Sequence, residues 1–312
     1  MSMAKEHTVR CPHCGAEFQV PLSASRVTCP YCFTVFDARE LTVKEENHYY
    51  FPLSKTLDPF EKLVKFISRQ YAVPIDLPKS FTVDKRELYW VPVYFFFADV
   101  TAEARGHSNM YGEQTSEIRE TRLVSIPASG TWLDEILNKY PFPVRGKLPF
   151  NPEITSRGLY LNPALDGNAA QKKVEQLVTS KVRLEASESF NTLYSVKIIE
   201  KKIENRGLIH YPIWVLGYNY NGRSYQAIVD GASGIVIHSE YPQTVRGRIS
   251  LAVYALLSVV MGVAGALLYS YLVGEGFLAL LGGLVVGGAT ALPALTRSAT
   301  RVARASEYME FR

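Results

Sequence analysis

The sequence predicts an α+β fold in three parts. These are an N-terminal zinc ribbon, an antiparallel β-rich domain with flanking helices, and a C-terminal two-helix transmembrane hairpin. Three observations carry this. All four cysteines lie between residues 11 and 32, as two Cys-x-x-Cys knuckles. Two long uncharged apolar runs lie near the C-terminal end. Between these features, aromatic and β-branched segments alternate with turn dipeptides. With 312 residues there is room for more than one core. The parts divide at 1–45, 46–245 and 246–312.

The knuckles are Cys11-Pro12-His13-Cys14 and Cys29-Pro30-Tyr31-Cys32. Each brings two thiolates into a tight turn, and two facing turns make a tetrahedral four-sulfur site for Zn2+. Such a site has no open coordination position, so the metal holds a small module together and does no chemistry. Paired disulfides would require an oxidising compartment, and a redox Cys-x-x-Cys needs one pair in a βαβ context. Gly15, just after the first knuckle, suits a positive φ. His13 is a bystander inside its knuckle. The charges of residues 1–45 balance: Lys5, Arg10, Arg26, Arg39 and Lys44 stand against Glu6, Glu17, Asp37, Glu40 and Glu45. Phosphate contacts supply most nucleic-acid affinity, so this part is a poor grip for nucleic acid.

In the middle part, residues 58–70 predict an amphipathic helix. Asp58 is the cap, Pro59 stands at the first helical position, and Leu63, Phe66 and Ile67 share a face. Residues 87–103 and 117–126 read as strands, 131–138 as a short helix, and 168–187 as a longer helix with Val174, Leu177, Val178 and Val182 inward. Residues 192–206 and 208–240 read as strands joined by tight turns. Asn221-Gly222 is a type I′ signal, and residues 230–234 form a second turn. Pro212 argues for an edge position. A helix followed by a Pro-containing aromatic strand occurs twice, suggesting a repeat over 50–130 and 165–241.

Residues 249–273 and 277–295 carry no charge, and each run is long enough to cross a bilayer core of about 30 Å. Arg246 and Arg248 precede the first run; Arg297, Arg301 and Arg304 follow the second. The turn between them holds Glu275 and no cation. Cations stay on the cytoplasmic side, so both termini are expected in the cytoplasm and the turn outside. No apolar signal segment stands near Met1. Gly262 and Ala266 in the first run, and Gly283 and Gly287 in the second, form small-residue rows that let helix backbones approach. Packing of the two spans on each other and homo-oligomerisation both use such rows. Pro293 is expected to kink the second span.

The ribbon resembles transcription-factor-IIB-type zinc ribbons. The order of ribbon, α+β domain, tyrosine-rich meander and membrane segment resembles a family of bacterial and archaeal zinc-ribbon-containing integral membrane proteins. The residues that carry this are 211–241, with the turn Val229-Asp230-Gly231-Ala232-Ser233-Gly234, and Trp90-Val91-Pro92-Val93-Tyr94. The meander is also similar to half of a PepSY-type domain, a binding fold. The resemblance implies anchoring of cytoplasmic partners of the band-7 (stomatin-like) or phage-shock-protein-A-like type, in membrane stress or membrane organisation.

No phosphate-binding Gly-x-x-x-x-Gly-Lys-Ser/Thr loop, His-Glu-x-x-His or Gly-x-Ser-x-Gly motif occurs, which removes helicases and the commonest hydrolases. No catalytic residue is expected, and the chain is read as a non-enzyme. Ser233 reads as a turn residue, and His210 as a core or edge histidine. The leading expectation is a membrane-anchored adaptor in the cell membrane, docking protein partners through the ribbon and meander. The alternatives are a membrane-tethered nucleic-acid-binding or regulatory protein, and a membrane-associated enzyme or transporter subunit.

Overall fold

Short hairpins open the chain. β1 (Glu6–Arg10) pairs antiparallel with β2 (Glu17–Pro21), and β3 (Arg26–Thr28) with β4 (Val35–Asp37). After β5 (His48–Tyr50), helix α1 (Pro59–Ile67) starts where the sequence places it: Asp58 accepts from Phe60 N at 3.0 Å. α2 (Leu77–Ser80) leads into β6 (Thr82–Ser108), which pairs with β7 (Gly112–Pro127). Then come α3 (Leu133–Leu137), β8 (Leu148–Pro149), a 3-10 turn and β9 (Leu159–Tyr160). α4 (Gly167–Ser189) is capped by Asp166 accepting from Ala169 N. β10 (Thr192–Tyr220) turns into β11 (Arg223–Asp230) through Asn221 and Gly222, both at positive φ (51° and 72°), as a type I′ turn requires. β12 (Val236–Pro242), α5 (Val245–Val273), α6 (Gly276–Ala299), β13 (Val302–Ala305) and a 3-10 turn complete the chain. This computed structural model describes residues 6–12, 15–31, 34–39, 47–273 and 276–309.

Two units emerge. The first comprises Met1–Thr56, Glu87–Trp214 and Asp230–Ser233. In it β6 pairs with β7, with β10, and in parallel with β9; β5 lies parallel to β10 at Leu208↔His48 and carries β8 on its other side. One face of β6 (Phe96, Ala98, Val100, Ala102, Ala104) receives Ala170, Val174, Val178, Val182 and Ala186 of α4. The alternation in the strand and the fourfold spacing in the helix bring two small-residue surfaces into contact. Leu177 does not share that face; it is 49% exposed, because the buried stripe runs at strict i, i+4 spacing.

The expected break between residues 206 and 208 is absent, and β10 runs through as a single 29-residue strand. Gly207 is no turn. Its φ of +110° accommodates the close approach of Asn47, whose carbonyl would lie 2.4 Å from a Cβ there. Pro212 is likewise not on an edge strand: it is buried in β10, and its carbonyl accepts Gly231 N at 2.7 Å.

The second unit comprises Leu57–Arg86, Val215–Val229 and Gly234–Arg312. β11 pairs with β12, with a bulge at Ile228/Val229, and β12 pairs with β13 from Ser239↔Ala305 to Pro242↔Val302. The chain that leaves the second apolar helix therefore returns to the sheet as a strand. The second uncharged run ends at residue 295 in the sequence. α6 instead continues through Pro293 to Ala299 before β13 forms.

Candidate functional site

The cysteine module is built from the two opening hairpins. Cys11 follows β1 and Cys29 follows β3, and both are buried. The first turn closes through Cys11 N→Ala16 O (2.9 Å) and Gly15 N→Cys11 O (3.0 Å), with Gly15 at φ +74°. The second closes through Cys29 N→Thr34 O at 3.0 Å. Cys11 and Cys29 share one small apolar cluster with Val9, Val20, Val27 and Phe36, and Phe18 meets Phe36 edge-on. Cys14 and Cys32, with His13 and Phe33, lie outside the described residues. Among the described residues no group of three or more metal-ligating side chains converges. The two cysteines that are described stand at matching positions of two tight turns, within one core.

This module is fastened to the sheet of its own unit. Thr28 N donates to Asn162 Oδ1 at 2.9 Å, and the Thr28 hydroxyl shares a 2.8 Å hydrogen bond with Tyr160. Arg39 stands 3.8 Å from Asp166, the cap of α4. One side of the module is thus docked, while Leu22 and Tyr31 (66% exposed) face outward.

Beneath Tyr160 lies a histidine pair that the sequence does not reveal, since 162 positions separate its members. His210 is fully buried and stacks on Tyr160; His48 stacks on Phe150 at 4.0 Å. The Leu161 carbonyl can only accept, so His210 Nε2, 3.2 Å away, carries the hydrogen. His210 Nδ1 then accepts from His48 Nε2 at 3.0 Å, and His48 Nδ1 is left bare, with no hydrogen-bond partner among the described residues. Burial drives both rings towards the neutral form. His210 falls to about 3, and His48 falls well below its ordinary value, with His210 and Arg26 adding to the effect. A neutral, fully stacked pair is a structural joint.

The 230–234 turn closes on a buried carboxylate. Asp230 accepts from Tyr140 Oη (2.7 Å), Ser233 Oγ (2.7 Å) and Ala232 N (2.8 Å). Ser233 is a turn residue, bonded into the loop it sits on.

In the second unit, Val245–Leu272 and Leu280–Ala299 are long and apolar enough to cross a membrane, with mean hydropathies of 2.3 and 1.3. Only 11% and 17% of these windows are buried in the protein. Large apolar side chains such as Leu256, Met261, Leu268 and Val285 point outward. The four small residues meet across the hairpin. A Cβ on Gly262 would lie 2.4 Å from Gly283 O, one on Gly283 2.5 Å from Ala266 Cβ, and one on Gly287 2.9 Å from Ser258 O. The arginines do not form one group. Arg246 is exposed, Arg248 Nε donates to Ser298 O at 2.8 Å, and Arg304 pairs with Glu240 at 3.1 Å. Arg297, Arg301 and Arg304 line one cleft. The turn residues Gly274 and Glu275 lie outside the described residues.

No protein-family model, curated protein or solved structure matches the chain significantly.

Proposed function

We propose that the chain is a membrane-anchored adaptor. The α5/α6 hairpin is the anchor, the sheet is the platform, and the cysteine module, holding Zn2+ through Cys11, Cys14, Cys29 and Cys32, is the docking element for cytoplasmic protein partners. The observation that carries this reading is the hairpin's surface: two long apolar helices leave most of their side chains uncovered by protein. Water does not tolerate an apolar surface of that extent, whereas hydrocarbon does. The pairing of β13 with β12 supports placing both hairpin ends on the side of the platform, and the arginines support calling that side cytoplasmic.

A closed four-thiolate centre supplies folding energy and no open position for substrate. The outward-facing Leu22 and Tyr31 suit a protein contact, and the balanced charge of residues 1–45 disfavours a nucleic-acid one. The test is purification of the tagged chain from its native membranes in mild detergent, with nuclease-treated controls. A stoichiometric protein partner lost from a Tyr31→Ala/Leu22→Ala variant, which leaves all four cysteines intact, is the expected result. Recovery that depends on nucleic acid, or a partner indifferent to the module, refutes the reading.

A further inference from the structure

At the base of the hairpin an open cleft of about 1080 Å³ lies where the second unit's sheet meets the ends of α5 and α6. Arg297, Arg301 and Arg304 line it, with His238, Tyr71 and, on the hairpin side, Leu251. None of its lining residues is acidic. Arg304 is partly neutralised by Glu240, but Arg297 and Arg301 are exposed and have no acidic partner among the described residues. Thr296 and Thr300 on the same walls donate their hydroxyls to Pro293 O (3.0 Å) and Arg297 O (3.1 Å), so recognition of an anion falls to the guanidinium groups. A cleft lined by several guanidinium groups, two of them without an acidic partner among the described residues, is matched to a phosphate ester. Its volume is at the upper end of the range usual for small-molecule sites, about 300–1,000 Å³.

We propose that this cleft holds the headgroup of an anionic phospholipid. A free phosphate shares the recognised chemistry, but the position favours a lipid. Leu251 lies near the start of α5, and the outward apolar side chains Val253, Leu256 and Leu257 follow immediately along the same helix. A headgroup in the cleft would let its acyl chains run along that surface without leaving the apolar phase. β13 shapes the cleft from the other side, contributing Val302 to Ala305, so the returning strand, held to β12, fixes the arginines relative to the helix ends. The inference rests on the membrane reading of the hairpin.

The experiment uses the full chain in uncharged detergent, titrated with phosphatidylglycerol or phosphatidylcholine and read by native mass spectrometry. Carbonate extraction of membranes expressing the same variants runs in parallel. One phosphatidylglycerol per chain is expected to bind, in preference to phosphatidylcholine. Arg301→Gln weakens it about fivefold and Arg297→Gln/Arg301→Gln about 25-fold, following the usual contribution of about 1 kcal/mol per arginine at a lipid surface. Arg246→Gln removes the same charge outside the cleft and leaves binding within about twofold. Equal loss in Arg246→Gln and Arg301→Gln, or no loss in the double variant, overturns the proposal. Displacement of the lipid by millimolar inorganic phosphate assigns the cleft to a soluble anion and overturns it too. A chain that carbonate releases from membranes refutes the anchor itself. A chain that stays in membranes but does not distinguish the two lipids refutes only the headgroup site.

Discussion

Alanine substitution at the hairpin glycines separates two classes that the sequence presents alike. Gly262, Gly283 and Gly287 face the opposite helix, with closest approaches of 2.4, 2.4 and 2.9 Å for an added Cβ. Gly265, Gly282 and Gly288 have nothing within 4 Å. Ordinary contact begins near 3.4 Å, so a methyl group at Gly262 requires the backbones to part by roughly 1 Å. Parting also loosens Ala255, Ala291 and Ala294, which pack at the same interface. Overpacking of this kind costs about 1–3 kcal/mol, and replacing a mid-helix glycine by alanine returns up to about 1 kcal/mol in helix propensity. The net expectation is a loss of about 1–2 kcal/mol at Gly262 and Gly283, and a change between zero and a 1 kcal/mol gain at Gly265, Gly282 and Gly288. The assay is the SDS concentration at half-unfolding in mixed micelles, read by pulse proteolysis of the hairpin. Equal losses in both classes, or losses confined to the open class, would refute the assignment of this face to intramolecular packing.

Other expectations concern the first unit. Tyr140→Phe keeps the ring and its contact with Phe142 but withdraws one donor from buried Asp230. A loss of about 1.5–3 kcal/mol in urea unfolding is expected, and an unchanged midpoint would show that the bond carries no net stability. The histidine pair makes stability depend on pH. Both folded-state pKa values lie below the ordinary 6.5, so the unfolded chain binds protons first as pH falls. For His210 this contribution is complete above pH 6.5 and is lost towards pH 3, by about 2 kcal/mol between pH 7 and 5, and His48 adds to the loss in the same direction. His48→Gln should reduce that extra slope; an unaltered slope contradicts the burial argument. Asn162→Ala removes the acceptor for Thr28 N, and limited proteolysis should then cut the cysteine module faster while the rest of the chain resists as before. Cys29→Ser should lower bound zinc from one per chain to less than half by elemental analysis; retention of a full equivalent would rule out the thiolate site.

What was legible from residues alone follows the range of the interactions involved. Asp58, Asp166, Asn221-Gly222 and the 230–234 turn act on neighbours two to four positions away, so their residue types announce them. The apolar helices are legible for a similar reason, since every residue of a span meets one environment. The misplaced features are non-local. Gly207 and Pro212 look like interruptions because their roles are set by Asn47 and Gly231, partners that sequence spacing cannot indicate. Leu177 was assigned inward by hydrophobicity, yet an alanine-lined strand surface accepts only the narrow stripe from Ala170 to Ala186. β13 is four residues with two arginine-flanked alanines, and it becomes a strand only because β12 offers an edge. The His48–His210 joint has no sequence signature. Pro92 and Pro212 each lie in the interior of a long strand and accept, through their carbonyls, from the residue just after the returning strand, Ala128 and Gly231.

The measurement that bears most directly on the anchored-adaptor account is topology in intact cells. Single cysteines at Glu275→Cys and Ser306→Cys would be challenged with a membrane-impermeant maleimide, before and after permeabilisation. The account expects residue 275 to label from outside, and residue 306, next to β13, to label only after permeabilisation. Labelling of residue 306 from outside would place the platform on the wrong face of the membrane. Protection of both positions until permeabilisation would mean that the hairpin does not cross the bilayer, and either result would contradict the account.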